Sequence, residues 1–188
     1  MNRALEIDGF VVVDGPFPAS QLPRLSAAYD RAMREAVPPE LSVGRTTTRA
    51  HGFARRSSEF DDVHACGPIL DACRHVIGER ITLSSFLGRT LHAGAVAQGL
   101  HVDCAPDDRG FPMIGFIVMV DGFRADNGAT LFVPGSHRSE EPPAAHDAIP
   151  ACGPAGSVII YNGSIWHGHG GNRTDCGRRS LQGAYVRS

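Results

Sequence analysis

No stretch of this sequence approaches the roughly 20 consecutive apolar residues that span a bilayer, so no membrane-crossing helix is expected. It also has little net charge, −2 at pH 7, and therefore no global attraction to nucleic acid or to an anionic membrane surface. There is no C-x-x-C pair. The five cysteines (Cys66, Cys73, Cys104, Cys152 and Cys176) are an odd number, too sparse for a disulfide framework, which predicts reduced thiols in a cytoplasm. The opening MNRALEIDGF carries acid where a secretory signal would continue its apolar stretch, which argues against export by that route. Internal repeats and low-complexity tracts are lacking too. What is left is 188 residues of ordinary globular composition, 42% hydrophobic and 20% charged, enough for one domain with a sizeable core.

Residues 1–79 read as an N-terminal strand followed by helices. The strand is GFVVVDG. Ser20 is placed to cap a helix carrying Leu22, Leu25, Tyr29, Met33 and Val37, which Pro38 and Pro39 end. A second helix is predicted around 61–77, stopped by Gly78. Between them GRTTTRAHGFARRSS holds Arg45, Arg49, Arg55 and Arg56 without an acid. A solvated loop is the ordinary reading of such a run, and an anion-binding edge the alternative.

From residue 80 the pattern changes to strand-like runs divided by Gly, Pro, Asn and Asp: ITLSSFLGRTLHAGAVAQGLHV, MIGFIVMVDGF, ATLFVPGS, GSVIIYNGSIWHG and SLQGAYVR. No long helix interrupts them, so parallel βαβ packing is disfavoured. The fold class expected is mainly β, an antiparallel barrel or jelly roll over 80–188, with the N-terminal helices packed outside. The Pro-rich stretch 138–154 reads as a long loop of the kind that often borders sites.

Within QGLHVDCAP, His101 and Asp103 are two apart. In a strand such residues share a face, so an imidazole and a carboxylate can converge on one point, while Cys104 turns away. A lone H-x-D is commonplace, and more is needed. His51, His64, His75, His92 and His146 read as surface or satisfied core residues, and His137 as a possible cap of its turn. The stretch NGSIWHGHGGN follows a strongly apolar strand and offers His167 and His169, whose equal parity leaves both open as inward-facing. Two histidines and one carboxylate with positions left free are the facial triad of non-haem Fe(II) oxygenases. CGRRSLQGAYV adds Arg178 and Arg179, of which strand alternation turns only one inward. An arginine there suits a buried carboxylate, because its planar fork donates two parallel hydrogen bonds and stays charged.

QGLHVD, DNGATLFVPGSHR, AGSVIIYNGSIWHGHGGN and RRSLQGAYV, in that order, resemble the phytanoyl-CoA dioxygenase family, over roughly residues 80–187 with a weaker echo at DGFVVVDG. The resemblance implies a double-stranded β-helix (jelly-roll) core and an Fe(II)- and 2-oxoglutarate-dependent oxygenase using O₂. It implies His101, Asp103 and His167 as iron ligands, and Arg178, eleven residues after the distal histidine, as the partner of 2-oxoglutarate. Gln98 matches a position often polar in relatives and is expected to touch that co-substrate. The implied reaction is hydroxylation of a small organic or acyl substrate, with release of succinate and CO₂. Asp103 argues against halogenation, where relatives carry a small residue in place of the ligand carboxylate. The stretch between Asp103 and His167 is compact, so phytanoyl-CoA itself is not carried over as substrate. Two rival classes use the same residues: a zinc hydrolase, which needs no Arg178, and a jelly-roll binding protein without turnover.

Overall fold

The computed structural model describes residues 1–188 except Glu79 and Glu140. Glu79, at the expected boundary between helices and core, and Glu140, in the Pro-rich stretch, lie outside the described residues. In chain order the helices are α1 (Asn2–Ile7), α2 (Leu22–Glu35), α3 (Asp61–His64) and α4 (Gly67–Val76). The strands are β1 (Phe10–Val13), β2 (Leu41–Val43), β3 (Thr47–His51), β4 (Ile81–Leu91) and β5 (Met113–Met119). They continue with β6 (Thr130–Phe132), β7 (Ile149–Pro150), β8 (Val158–Asn162), β9 (His167–His169) and β10 (Arg178–Arg187). All pairings between these strands are antiparallel. A seven-stranded sheet runs β1-β8-β5-β10-β4-β3-β2, and a three-stranded sheet runs β7-β6-β9. This is the expected mainly-β jelly roll.

Period-two alternation sorts each strand of the large sheet onto two faces. Ile114, Phe116 and Val118 of β5, Val158 and Ile160 of β8, and Leu181 and Tyr185 of β10 pack with the helices. Ile117 and Met119, with Ile159 and Tyr161, turn the other way and pack with Phe132 of the small sheet. Arg178, Ser180 and Gln182 share the second face, so β10 turns a polar row toward the interior of the jelly roll.

Several local expectations are corrected. Ser20 does not cap α2: it lies in a 3₁₀ turn, Ala19–Gln21, and no side chain caps the helix that follows. The helix ends at Glu35, and Val37 lies outside it, 66% exposed. The residue before a proline is pushed out of the helical region, and Val37 precedes Pro38. The helix expected over 61–77 is two helices. Pro68 has no N–H to donate and its ring would clash with a preceding turn, so the chain restarts there with proline in the first turn of α4. The 3₁₀ turn Ser136–Arg138 has no side-chain cap either; His137 is buried within it. Finally, residues 1–79 supply three strands to the large sheet (β1 beside β8, β3 beside β4, β2 beside β3) where one was expected.

Candidate metal centre and anion pocket

The segment carrying His101 and Asp103 is not a regular strand. The run expected to be continuous from residue 81 ends at Leu91, and His101 forms an isolated bridge with His167. Each of these two residues donates its backbone N–H to the other's carbonyl at 2.9 Å. The amides of Asp103 and Cys104 both donate to the Gly163 carbonyl, at 2.9 and 3.0 Å. This main-chain lacing, rather than a pleat, makes the side chains converge. Asp103 Oδ2 lies 3.5 Å from His167 Nε2, and Oδ1 lies 3.8 Å from His101 Nε2. One donor atom from each residue falls within a 4.8 Å cluster, and no other such group of three or more His, Cys, Asp or Glu forms among the described residues. Cys104 takes no part; its thiol faces the Ala105 carbonyl.

His167 is buried, and its Nδ1 lies 2.9 Å from the Ile165 carbonyl. A carbonyl only accepts, so Nδ1 carries the proton and Nε2 presents its lone pair to the cluster. Burial lowers the His167 pKa below its ordinary value, with the Asp103 charge opposing the shift, so the ring is neutral at pH 7. His169 is also buried and lines the same cavity, its Nδ1 on the Gly170 carbonyl, but it stands outside the cluster. Geometry thus distinguishes two histidines that parity alone left equivalent.

Tyr161 is a site residue that no sequence motif singles out. Its hydroxyl donates to Asp103 Oδ2 at 2.8 Å, and burial, with the Asp103 charge adding, raises its pKa well above 10. The phenol is therefore a permanent donor. Its ring sits over Gly115, its register partner on β5, where any Cβ would overlap it. The available sequence signal is the parity of Tyr161 with inward-facing Ile159, at the end of the apolar run Val158–Ile160.

The cluster opens into a cavity of about 250 Å³. Gln98 lines it, as do Leu87, Ile117 and Thr130. Three arginines also reach it: Arg49, Arg89 and Arg178. Arg178 is 2% exposed, with its guanidinium carbon 3.8 Å above the Phe123 ring. Its Nε and Nη1 have no hydrogen-bond partner, and no carboxylate pairs with it among the described residues. Desolvation first, then the charge of Arg89, pulls its pKa down to about 9, still protonated at neutral pH. A buried cation without a counter-charge is costly, and a carboxylate entering the cavity would relieve that cost.

Arg179 points the opposite way, as alternation requires, and is held by two carboxylates. It makes a forked contact with Asp121 (2.7–3.2 Å) and reaches Asp30 at 2.9 Å, with its side chain 25% exposed. Arg179→Ala should therefore lower unfolding stability by about 1–2 kcal/mol, the scale of charge-assisted bonds discounted for partial exposure. It should leave ligand affinity untouched; denaturant titration beside ligand titration separates the two effects.

The arginine-rich stretch divides. Arg55 (3.2 Å), exposed, and Arg56, largely covered, both pair with Glu40, whereas Arg49 alone of the four lines the cavity. His75 pairs with Glu6 and His92 with Thr48, away from the cluster. None of the described residues of 138–154 lines the cavity; that stretch instead supplies β7 to the small sheet.

Three buried histidines, His137, His167 and His169, have pKa values lowered from 6.5, chiefly by desolvation. In the unfolded chain they would take up protons near pH 6.5, which the folded protein resists. Stability present above that pH should be lost as pH falls through the lowered folded values. Urea midpoints at pH 7.5 and 5.5 check this: the midpoint should be lower at 5.5, and an unchanged or higher one contradicts it.

The family model for phytanoyl-CoA dioxygenase (PhyH) matches residues 5–180. The dioxygenase olcK of Penicillium canescens is 29% identical over 95% of this chain and 67% of its own length. The dioxygenase cdmA of Talaromyces verruculosus is 38% identical over 50% of this chain and 36% of its own. The chain thus spans two thirds or less of the length of these curated relatives. Among solved structures, EctD from S. alaskensis with bound Fe superposes with a TM-score of 0.83 at 18% identity, covering 99% of this chain and 75% of that one. HygX from Streptomyces hygroscopicus, with nickel, 2-oxoglutarate and hygromycin B bound, gives 0.79 at 17%, covering 98% and 85%. At such identities the structures speak for the fold, and the family match, which extends over most of the chain, speaks for descent. The chain belongs to the phytanoyl-CoA dioxygenase family.

Proposed function

We propose that residues 1–188 act as one Fe(II)- and 2-oxoglutarate-dependent dioxygenase domain that hydroxylates a small organic or acyl substrate, releasing succinate and CO₂. His101, Asp103 and His167 would hold the iron. Arg178 would take the distal carboxylate of 2-oxoglutarate, with Gln98 beside it. The observation that carries this reading is the Arg178 guanidinium, buried without a counter-charge in the cavity that holds the His/Asp/His cluster. A zinc hydrolase would have no use for it, and a binding protein would have no use for the cluster. The donor set suits Fe(II): two neutral imidazoles and a carboxylate on one side leave positions for a bidentate co-substrate and O₂. EctD with bound Fe and HygX with nickel and 2-oxoglutarate add support by likeness of fold.

Bound there, iron and 2-oxoglutarate would supply the oxidative decarboxylation with O₂ that turns a substrate C–H into C–OH. The chain's own contribution is positional. Tyr161 donates to Asp103 Oδ2, which fixes the orientation of the carboxylate that would hold the ion. The Ile165 carbonyl fixes the His167 tautomer. Phe123 stacks under Arg178 and orients its fork. Leu87 and Ile117 give the cavity an apolar wall.

The deciding experiment is metal analysis of purified protein combined with a 2-oxoglutarate consumption assay under air. Iron-dependent conversion of 2-oxoglutarate to succinate is expected. Zinc retention with no consumption would favour the hydrolase, and neither metal nor consumption the binding protein.

A further inference from the structure

The cavity holds more positive charge than the co-substrate accounts for. It is lined by three guanidiniums, Arg49, Arg89 and Arg178, against the single carboxylate of Asp103. With a divalent ion on the cluster and doubly charged 2-oxoglutarate in place, an excess of positive charge would remain. Arg49 and Arg89 are direct register partners on β3 and β4, both turned to the interior. Like charges directly opposite across an antiparallel pair repel. Neither has a carboxylate partner among the described residues, and Arg89 Nε is buried without any hydrogen bond. Desolvation, then the Arg49 charge, lowers the Arg89 pKa to about 10, so it remains a cation at neutral pH. A pair that costs stability in the free protein yet lines the site is the signature of residues kept for a ligand.

We propose that Arg89 and Arg49 form a second anion-binding subsite, distinct from Arg178, and that the primary substrate is therefore a small acid whose carboxylate it grips. This rests on the dioxygenase reading for its context. Leu87, two residues before Arg89 on β4 and lining the same cavity, and Ile117 give the body of such an acid apolar contact. The charge-assisted bonds available from a paired guanidinium give the acid an advantage over a neutral isostere of about tenfold or more.

The test uses hexanoate and benzoate against hexanamide and benzamide as probes. Affinities are measured by calorimetry on Zn(II)-substituted protein saturated with 2-oxoglutarate, and again on metal-free protein. Each acid should bind at least tenfold more tightly than its amide. Arg89→Gln and Arg49→Gln should remove that preference, Arg89→Lys should restore part of it, and 2-oxoglutarate affinity should stay within about twofold throughout. The ligand-free Arg89→Gln protein should melt no lower than wild type, because an unpaired charge has been removed. Equal affinity of wild type for acid and amide overturns the proposal. So does a tenfold or greater loss of 2-oxoglutarate affinity in Arg89→Gln, which would assign that guanidinium to the co-substrate. A wild-type protein that takes up neither metal nor 2-oxoglutarate sinks the dioxygenase reading instead, and the acid-over-amide comparison on metal-free protein still decides the role of Arg89.

Discussion

Alanine at His101, Asp103 or His167 should abolish tight Fe(II) binding while the fold survives. The three side chains contribute no strand pairing of their own. The lacing between residues 101 and 167, and from 103 and 104 to Gly163, is made by main-chain groups that alanine keeps. Changing residues one shell further out from a metal costs roughly 10–100-fold in affinity, so deleting a ligand should cost at least about a hundredfold. Asp103→Ala should be the most damaging, since it also removes the negative charge that offsets the ion and leaves the Tyr161 hydroxyl without its acceptor. That orphaned phenol costs about 1–3 kcal/mol of stability, so the Asp103 variant should also unfold earlier than the His101 variant. Equilibrium dialysis followed by metal analysis decides the matter: equal iron content in wild type and all three variants would remove the cluster from the mechanism.

The second large effect belongs to Arg178. Arg178→Ala should weaken 2-oxoglutarate by at least about tenfold, because a forked, charge-assisted contact contributes roughly 1.5–3 kcal/mol per bond and 1.4 kcal/mol is a factor of ten. Iron affinity without co-substrate should stay near wild type, since Arg178 is no member of the cluster. Titrating 2-oxoglutarate into each Fe(II)-loaded variant under anaerobic conditions, following the charge-transfer band, reads this directly. The paired control is Arg179→Ala, whose guanidinium is held by Asp121 and Asp30 on the helix side of the sheet. If Arg179→Ala proved the one that loses 2-oxoglutarate, the inward face of β10 would be misassigned.

Parity explains both what the sequence reveals and what it conceals. The short continuous apolar runs in MIGFIVM and VIIYN, set between turn residues, mark strands buried on both faces, because length, β-branched content and flanking breakers are all local. The inward turn of Arg178 follows from the same rule. The convergence of His101 with Asp103 is also readable from their spacing, though for a different reason than a pleat. A bridge to His167, far along the chain, is a long-range pairing that no local pattern encodes. The break at Pro68 is legible, since a proline inside a helical period stops or restarts the helix. Tyr161 and Arg89 were harder. Each becomes meaningful only beside a partner from a distant stretch of chain, Asp103 for one and Arg49 on β3 for the other, and such pairings are set by tertiary packing. For the same reason Arg179 reads as a surface charge until Asp30 of α2 and Asp121 after β5 are brought to it.

The reciprocal backbone bonding of His101 and His167 bears on the thermodynamics of the site. Bringing together two such distant stretches of chain carries a closure entropy that folding, through β6, β8 and β9, has already met. Metal uptake then needs to order little more than side-chain rotamers, and one of those, on Asp103, is held by Tyr161. The fold then does not depend on the ion, which adds to stability only by mass action. A chelator should strip the ion and leave the jelly roll standing, unlike small zinc modules whose folding and metal binding are a single event.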